Sequence, residues 1–126
     1  MTDESLTELQ LSILRVLWSL GEGSVPDVQA RLEADGRPLA LTTVATLLRR
    51  MEKKGWVAHR EQGRAFLYSA VGSRHEVTGR LIDRMTGALF DGDVSALVSH
   101  LLDSRQVTAR DLARIKRLIE SKEKKQ

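Results

Sequence analysis

Apolar residues recur at helical spacing along most of the chain. In the first segment Leu9, Ile13, Val16, Leu17 and Leu20 share one face and Leu11, Leu14 and Trp18 a second, which predicts a helix buried on two sides. It opens at Thr7, whose spacing to Gln10 fits a capping box, and stops at Gly21 and Gly23. A second helix starts at Ser24, carries Pro26 in its first turn and completes an S-x-x-D box with Asp27. Val28 and Leu32 supply its inner face, and Gly36 marks its end. The third helix spans residues 41–54. Val44, Leu47, Leu48 and Met51 fall at i, i+3, i+4 and i+7, a core stripe, and Gly55 follows where a helix ends. The period then changes. Residues 56–61 and 65–69 alternate roughly, with Gln62-Gly63 between them, which predicts a hairpin.

Beyond Ser73 the pattern is helical again. Ser73 and Glu76 fit a capping box, Val77, Leu81, Met85 and Leu89 repeat every four residues, and Asp91-Gly92-Asp93 interrupts them. Asp91 and Asp93 suit a helix N-cap better than an acid–base pair. Val94, Leu97, Val98, Leu101 and Leu102 mark a further helix. Thr108 and Asp111 open the last one, with Leu112, Ile115, Leu118 and Ile119 apolar. The charged tail, residues 122–126, reads as frayed. Three short amphipathic helices on some fifty residues cannot bury their own apolar faces. They need the N-terminal domain or a second chain.

Charge sharpens this picture. The net charge is only +3, but it is unevenly spread. Residues 1–48 hold three arginines (Arg15, Arg31, Arg37) against seven acids, a net of −4. Residues 49–64 hold Arg49, Arg50, Lys53, Lys54, Arg60 and Arg64 against Glu52 and Glu61, a net of +4. A short segment thus concentrates positive charge, as a surface for a polyanion needs, although a solvated helix face has the same composition. Cysteine is absent, which removes disulfides, thiolate catalysis and thiolate metal sites. The three histidines, His59, His75 and His100, fall on different elements without metal-site spacing, and no nucleophile elbow or phosphate-cradling loop is present. The chain therefore reads as a non-enzyme without cofactor or metal. No apolar run spans a membrane, and the acidic start, Met1-Thr2-Asp3-Glu4, does not resemble a secretory signal, so the expected location is the cytoplasm.

Helix, helix, basic helix, basic hairpin is the plan of a winged helix-turn-helix. The major groove of DNA admits one helix, whose outward residues reach base edges, while the hairpin lies over phosphates. Thr42, Thr43, Thr46, Arg49, Arg50 and Lys53 are the candidates on the third helix, with Arg60 and Arg64 in the wing. Threonine offers a hydroxyl and a methyl to base edges, arginine a fork for guanine or phosphate, and lysine a point charge for phosphate. Thr42 reads equally well as a helix cap, and Arg64 as a solubilising charge at a hairpin tip.

The stretch from Leu39 through Thr42-Thr43-Val44-Ala45-Thr46 to Arg49, Arg50, Lys53, Lys54 and Gly55 resembles the recognition helix of the penicillinase-repressor family (BlaI/MecI type), with its T-T-V-x-T-x-L-x-R-L-x-x-K-G pattern. Leu17-Trp18, the wing Arg64-Ala65-Phe66-Leu67-Tyr68 and the run from Phe90 to Val98 are similar to the family too, so the resemblance covers nearly the whole chain. It implies a mainly α protein with a winged helix-turn-helix domain in residues 1–71 and a helical dimerisation region in residues 72–126. It further implies a homodimeric repressor on an inverted-repeat operator in double-stranded DNA, with intertwined C-terminal helices. Thr42, Thr46, Arg49 and Arg50 would face DNA, with Arg64 in the wing. Leu81, Met85, Leu89, Val94, Leu97, Val98, Leu101, Leu112, Ile115 and Ile119 are the expected dimer residues. Two departures bear on regulation by an inducer or protease. The family's Asn-Phe cleavage position matches His100-Leu101 here, and the cysteine cluster of its copper-responsive branch is missing. Two other readings are a winged helix used for protein contact and a ligand-sensing regulator of another winged-helix family.

Overall fold

The computed structural model describes residues 6–104 and 106–125; the acidic start at Met1–Glu4 and Gln126 lie outside the described residues. The elements are α1 (Glu8–Leu20), α2 (Val25–Ala34), α3 (Leu41–Lys53), β1 (Val57–Gln62), β2 (Ala65–Ala70), α4 (Arg74–Phe90), α5 (Val94–Leu102) and α6 (Ala109–Lys124). They form two compact units, residues 1–77 and 78–126, and α4 runs through the boundary without a break.

In the first unit the local signals act as the chemistry requires. Thr7 and Gln10 cap α1 reciprocally, with both bonds at 3.1 Å, and Ser24 and Asp27 do the same for α2 at 3.2 and 3.0 Å. The Asp27 carboxyl is held below its usual value by hydrogen bonds from the Ser24 backbone N–H and, next, its hydroxyl. At the end of α3 the Trp56 N–H donates to Met51 and the Gly55 N–H to Glu52, the paired bonds of a Schellman turn. Gly55 sits at φ +87°, which a residue with a Cβ rarely adopts. Trp56 and Val57 are thereby redirected into the core, where the wing begins.

The strands pair antiparallel from Val57–Ala70 to Gln62–Ala65. The loop is therefore Gly63-Arg64, one residue later than the alternation places it, and Gln62 closes β1. Gly63 alone has positive φ (+62°), as in a two-residue hairpin turn with glycine first. Gly23 bonds in both directions with Tyr68, at 2.9 and 2.8 Å, so the α1–α2 turn is tied to β2 by a one-residue antiparallel bridge. Ile13, Leu14, Leu17, Val28, Leu32, Val44, Leu48, Met51, Val57 and Val77 form the fully buried core.

The second unit is different. Among its described residues no apolar side chain is buried; only Thr86 is, with its hydroxyl donating to the Ile82 carbonyl at 2.7 Å. Leu89, Leu118, Val94 and Leu101 are 70, 65, 64 and 54% exposed, and Met85, Val98, Leu112 and Ile119 are exposed as well. Leu81, Leu97 and Ile115 are half-covered. Two expectations are corrected here. The helices are not all short, since α4 has 17 residues and α6 has 16. The basic tail is not frayed at residue 122, because the i, i+4 ladder of α6 carries through to Lys124. Asp91 and Gly92, both at positive φ, separate α4 from α5, and the Asp93 side chain caps α5 by accepting from the Ala96 N–H at 3.1 Å.

Candidate nucleic-acid interface

Helix α3 has two opposed faces. Val44, Leu48 and Met51 are fully buried, while Thr42, Thr43, Arg49, Arg50 and Lys53 are exposed and Thr46 is half-covered. Thr42, Thr46, Arg49 and Lys53 follow one another at i, i+4, i+7 and i+11, so one outward stripe carries hydroxyls first and cations after. The N-cap of α3 is Ala40, with no side-chain cap. Thr42 lies inside the first turn, so the alternative that reads it as a cap does not hold. The approach to α3 is fixed instead from α2, where the Gln29 amide donates to the Leu39 carbonyl at 3.1 Å.

Thr46 does two things at once. Its hydroxyl donates to the Thr42 carbonyl at 2.9 Å and accepts from an Arg49 guanidinium nitrogen at 3.3 Å. Arg49 is thereby laid along the outer stripe with most of its five donors unused. Arg64 occupies the hairpin loop itself and is exposed.

Arg60, a candidate DNA contact of the wing, is paired with a carboxylate. Its Nε and Nη2 donate to the two carboxylate oxygens of Glu22 at 2.8 and 2.7 Å, and Nη2 also reaches Gln62 at 3.3 Å. The Glu22 carboxyl is held below its usual value by these bonds, and the Arg60 guanidinium is raised in turn. The pair is open to solvent and adds little stability. It does neutralise the cation and fastens β1 to the α1–α2 turn.

A second tie was not visible in the sequence. His59 Nδ1 lies 2.7 Å from both carboxylate oxygens of Glu52, which also accepts the His59 backbone N–H at 3.2 Å. The imidazole stacks on Phe66, with ring centroids 4.2 Å apart and planes 20° off parallel, and Tyr68 adds a tilted contact at 5.5 Å. Burial, and then the Glu52 charge, raises the Tyr68 hydroxyl above its usual value. Glu52 thus joins the last turn of α3 to the wing. Glu52→Ala is expected to cost about 1 kcal/mol in denaturant unfolding, the scale of a net hydrogen bond, and to speed amide exchange in β1 and β2 first. Equal protection in both proteins would show that Glu52 does not hold the wing.

No group of His, Asp or Glu suited to a metal occurs among the described residues, and none of the described helices is long and apolar enough to cross a membrane.

The profile of the penicillinase repressor family matches residues 6–121. The transcriptional regulator BlaI of Mycobacterium tuberculosis is 35% identical over 100 residues, covering 78% of this chain and 72% of its own. Among solved structures, the DNA-binding domain of the repressor BlaI aligns with a TM-score of 0.50 at 24% identity, over 56% of this chain and 84% of its own. A mutant MarR of E. coli, complexed with operator DNA, aligns at 0.55 and 16% identity, over 93% and 75%. These two likenesses concern the fold.

Proposed function

Because the chain belongs to the penicillinase-repressor family, we propose that it is a DNA-binding transcriptional repressor that closes an inverted-repeat operator as a homodimer. The observation that carries this reading is the outer stripe of α3. Thr42, Thr46, Arg49 and Lys53, flanked by Thr43 and Arg50, stand on a rigid helix whose other face is locked in the core. In this reading Arg49 and Arg50 meet guanine edges or phosphates, the threonines approach base edges, and Lys53 and Arg64 take phosphates. Arg60, paired with Glu22 in the free chain across a solvent-open contact, is the second wing cation that meets phosphate in this reading. Residues 1–71 serve DNA binding and residues 72–126 dimerisation, through the apolar faces that the second unit leaves uncovered. His100-Leu101 stands where the family's Asn-Phe cleavage position falls, so this reading assigns the opening signal to no such cleavage.

The experiment is selection of bound fragments from randomised DNA at two salt concentrations. An inverted repeat whose half-site centres lie about one or two helical turns apart is the expected product. Its affinity should fall steeply between the two salts, with a slope near −0.9 per phosphate contacted. Enrichment of no sequence, or binding insensitive to salt, would sink the proposal and favour a winged helix used for protein contact.

A further inference from the structure

The first 48 residues contain three cations among seven acids, and the fold brings all three cations to one place. Arg15, Arg31 and Arg37 line a cleft of about 620 Å³ between α1 and α2, where Arg74 from the start of α4 joins them and Asp35 is the one carboxylate in the wall. The floor is apolar, formed by Val16 and Leu32, both buried. The guanidinium groups are held in different ways. Arg31 donates to the Ser19 hydroxyl at 3.1 Å, Arg37 to Glu8 at 3.1 Å, and Arg74 lies 6.0 Å from the Trp18 ring centre.

We propose that this cleft binds a small organic or inorganic anion carrying two or more charges, of the phosphate or dicarboxylate class. Four arginines line one cleft, and the fork of a guanidinium matches paired oxygens. Asp35 and Glu8 offset two of the four charges, which leaves an excess of two for a ligand. The volume falls within the range of small-molecule sites.

The test is calorimetry on the full chain at physiological ionic strength with two probes, pyrophosphate and succinate. Wild-type protein is expected to bind one of them saturably, and which one separates phosphate from carboxylate recognition. Arg15→Gln and Arg74→Gln should each weaken that binding by roughly tenfold, as loss of a charged hydrogen bond does, and leave operator affinity unchanged. Arg49→Gln should leave anion binding intact. Absence of saturable binding for both probes would overturn the proposal. So would binding lost in Arg49→Gln but kept in the cleft variants, which would place the anion on α3. Operator affinity that falls in Arg15→Gln, without an effect on anion binding, would overturn it too, by assigning the cleft to the DNA backbone.

Discussion

Leu101→Asp is expected to convert the proposed homodimer to a monomer in sedimentation and to lower operator affinity by about 10²- to 10⁴-fold, the gain that two linked half-sites confer. The argument starts from burial. Leu101 is 54% exposed in a single chain, so the substitution removes little packing within its own fold. Leu97 on the same helix is half-covered, and a charge there would mix damage to the unit with damage to the interface. Apolar faces on α4, α5 and α6 are left exposed in the single chain, and a second copy of the same faces is the cover proposed. Inside such a seam an aspartate is buried without a partner, a cost of several kcal/mol that dissociation relieves. Circular dichroism should lose helical signal only from residues 78–126, whose helices have no buried apolar core of their own, while the first unit keeps its fold. A variant still dimeric at the parent's concentration would remove α5 from the interface, and a variant monomeric yet equally tight on the operator would show that pairing on DNA does not need it.

The parts of this molecule that could be read from the sequence are those whose cause is local. Four capping boxes, at Thr7, Ser24, Ser73 and Thr108, close as their spacing requires, because both partners lie within four residues. The core stripe of α3 and the turn at Gly55 follow from period and from backbone sterics. The hairpin was legible to within one residue, since alternation fixes a strand but glycine alone does not say which loop position it fills. The start of α3 was legible at residue 41 from the apolar period alone, although Ala40 supplies no side-chain cap and Gln29, on another helix, holds the approach. Arg60 and Glu22 stand 38 residues apart, so only the fold reveals that the cation is already paired. His59 was weighed only as a metal ligand; its neighbours Glu52 and Phe66 reach it from two other elements. The convergence of Arg15, Arg31, Arg37 and Arg74 was equally hidden, because an acidic stretch gives no hint that its few cations share a cleft.

The same limit applies to base recognition, and Arg49→Ala addresses it. The substitution is expected to weaken operator binding by roughly 1–3 kcal/mol and to relax the preference at one base pair in each half-site, if the guanidinium reads a guanine edge. A loss of similar size on operator and unrelated DNA alike would assign Arg49 to phosphate. Geometry favours the first outcome. Arg49 lies at the middle of the outward stripe, and its bond from Nη2 to Thr46 at 3.3 Å restrains the side chain along the helix before DNA arrives. Less rotamer freedom is then lost on binding. Arg49→Lys separates fork from charge. Lysine keeps the cation but cannot bond two acceptors in one plane, so it should rescue a phosphate contact and fail to rescue a guanine contact. Thr46→Val tests the restraint itself: it removes the hydroxyl that Arg49 rests on, and it should reproduce part of the Arg49→Ala loss while leaving the salt slope unchanged, because no charge is removed.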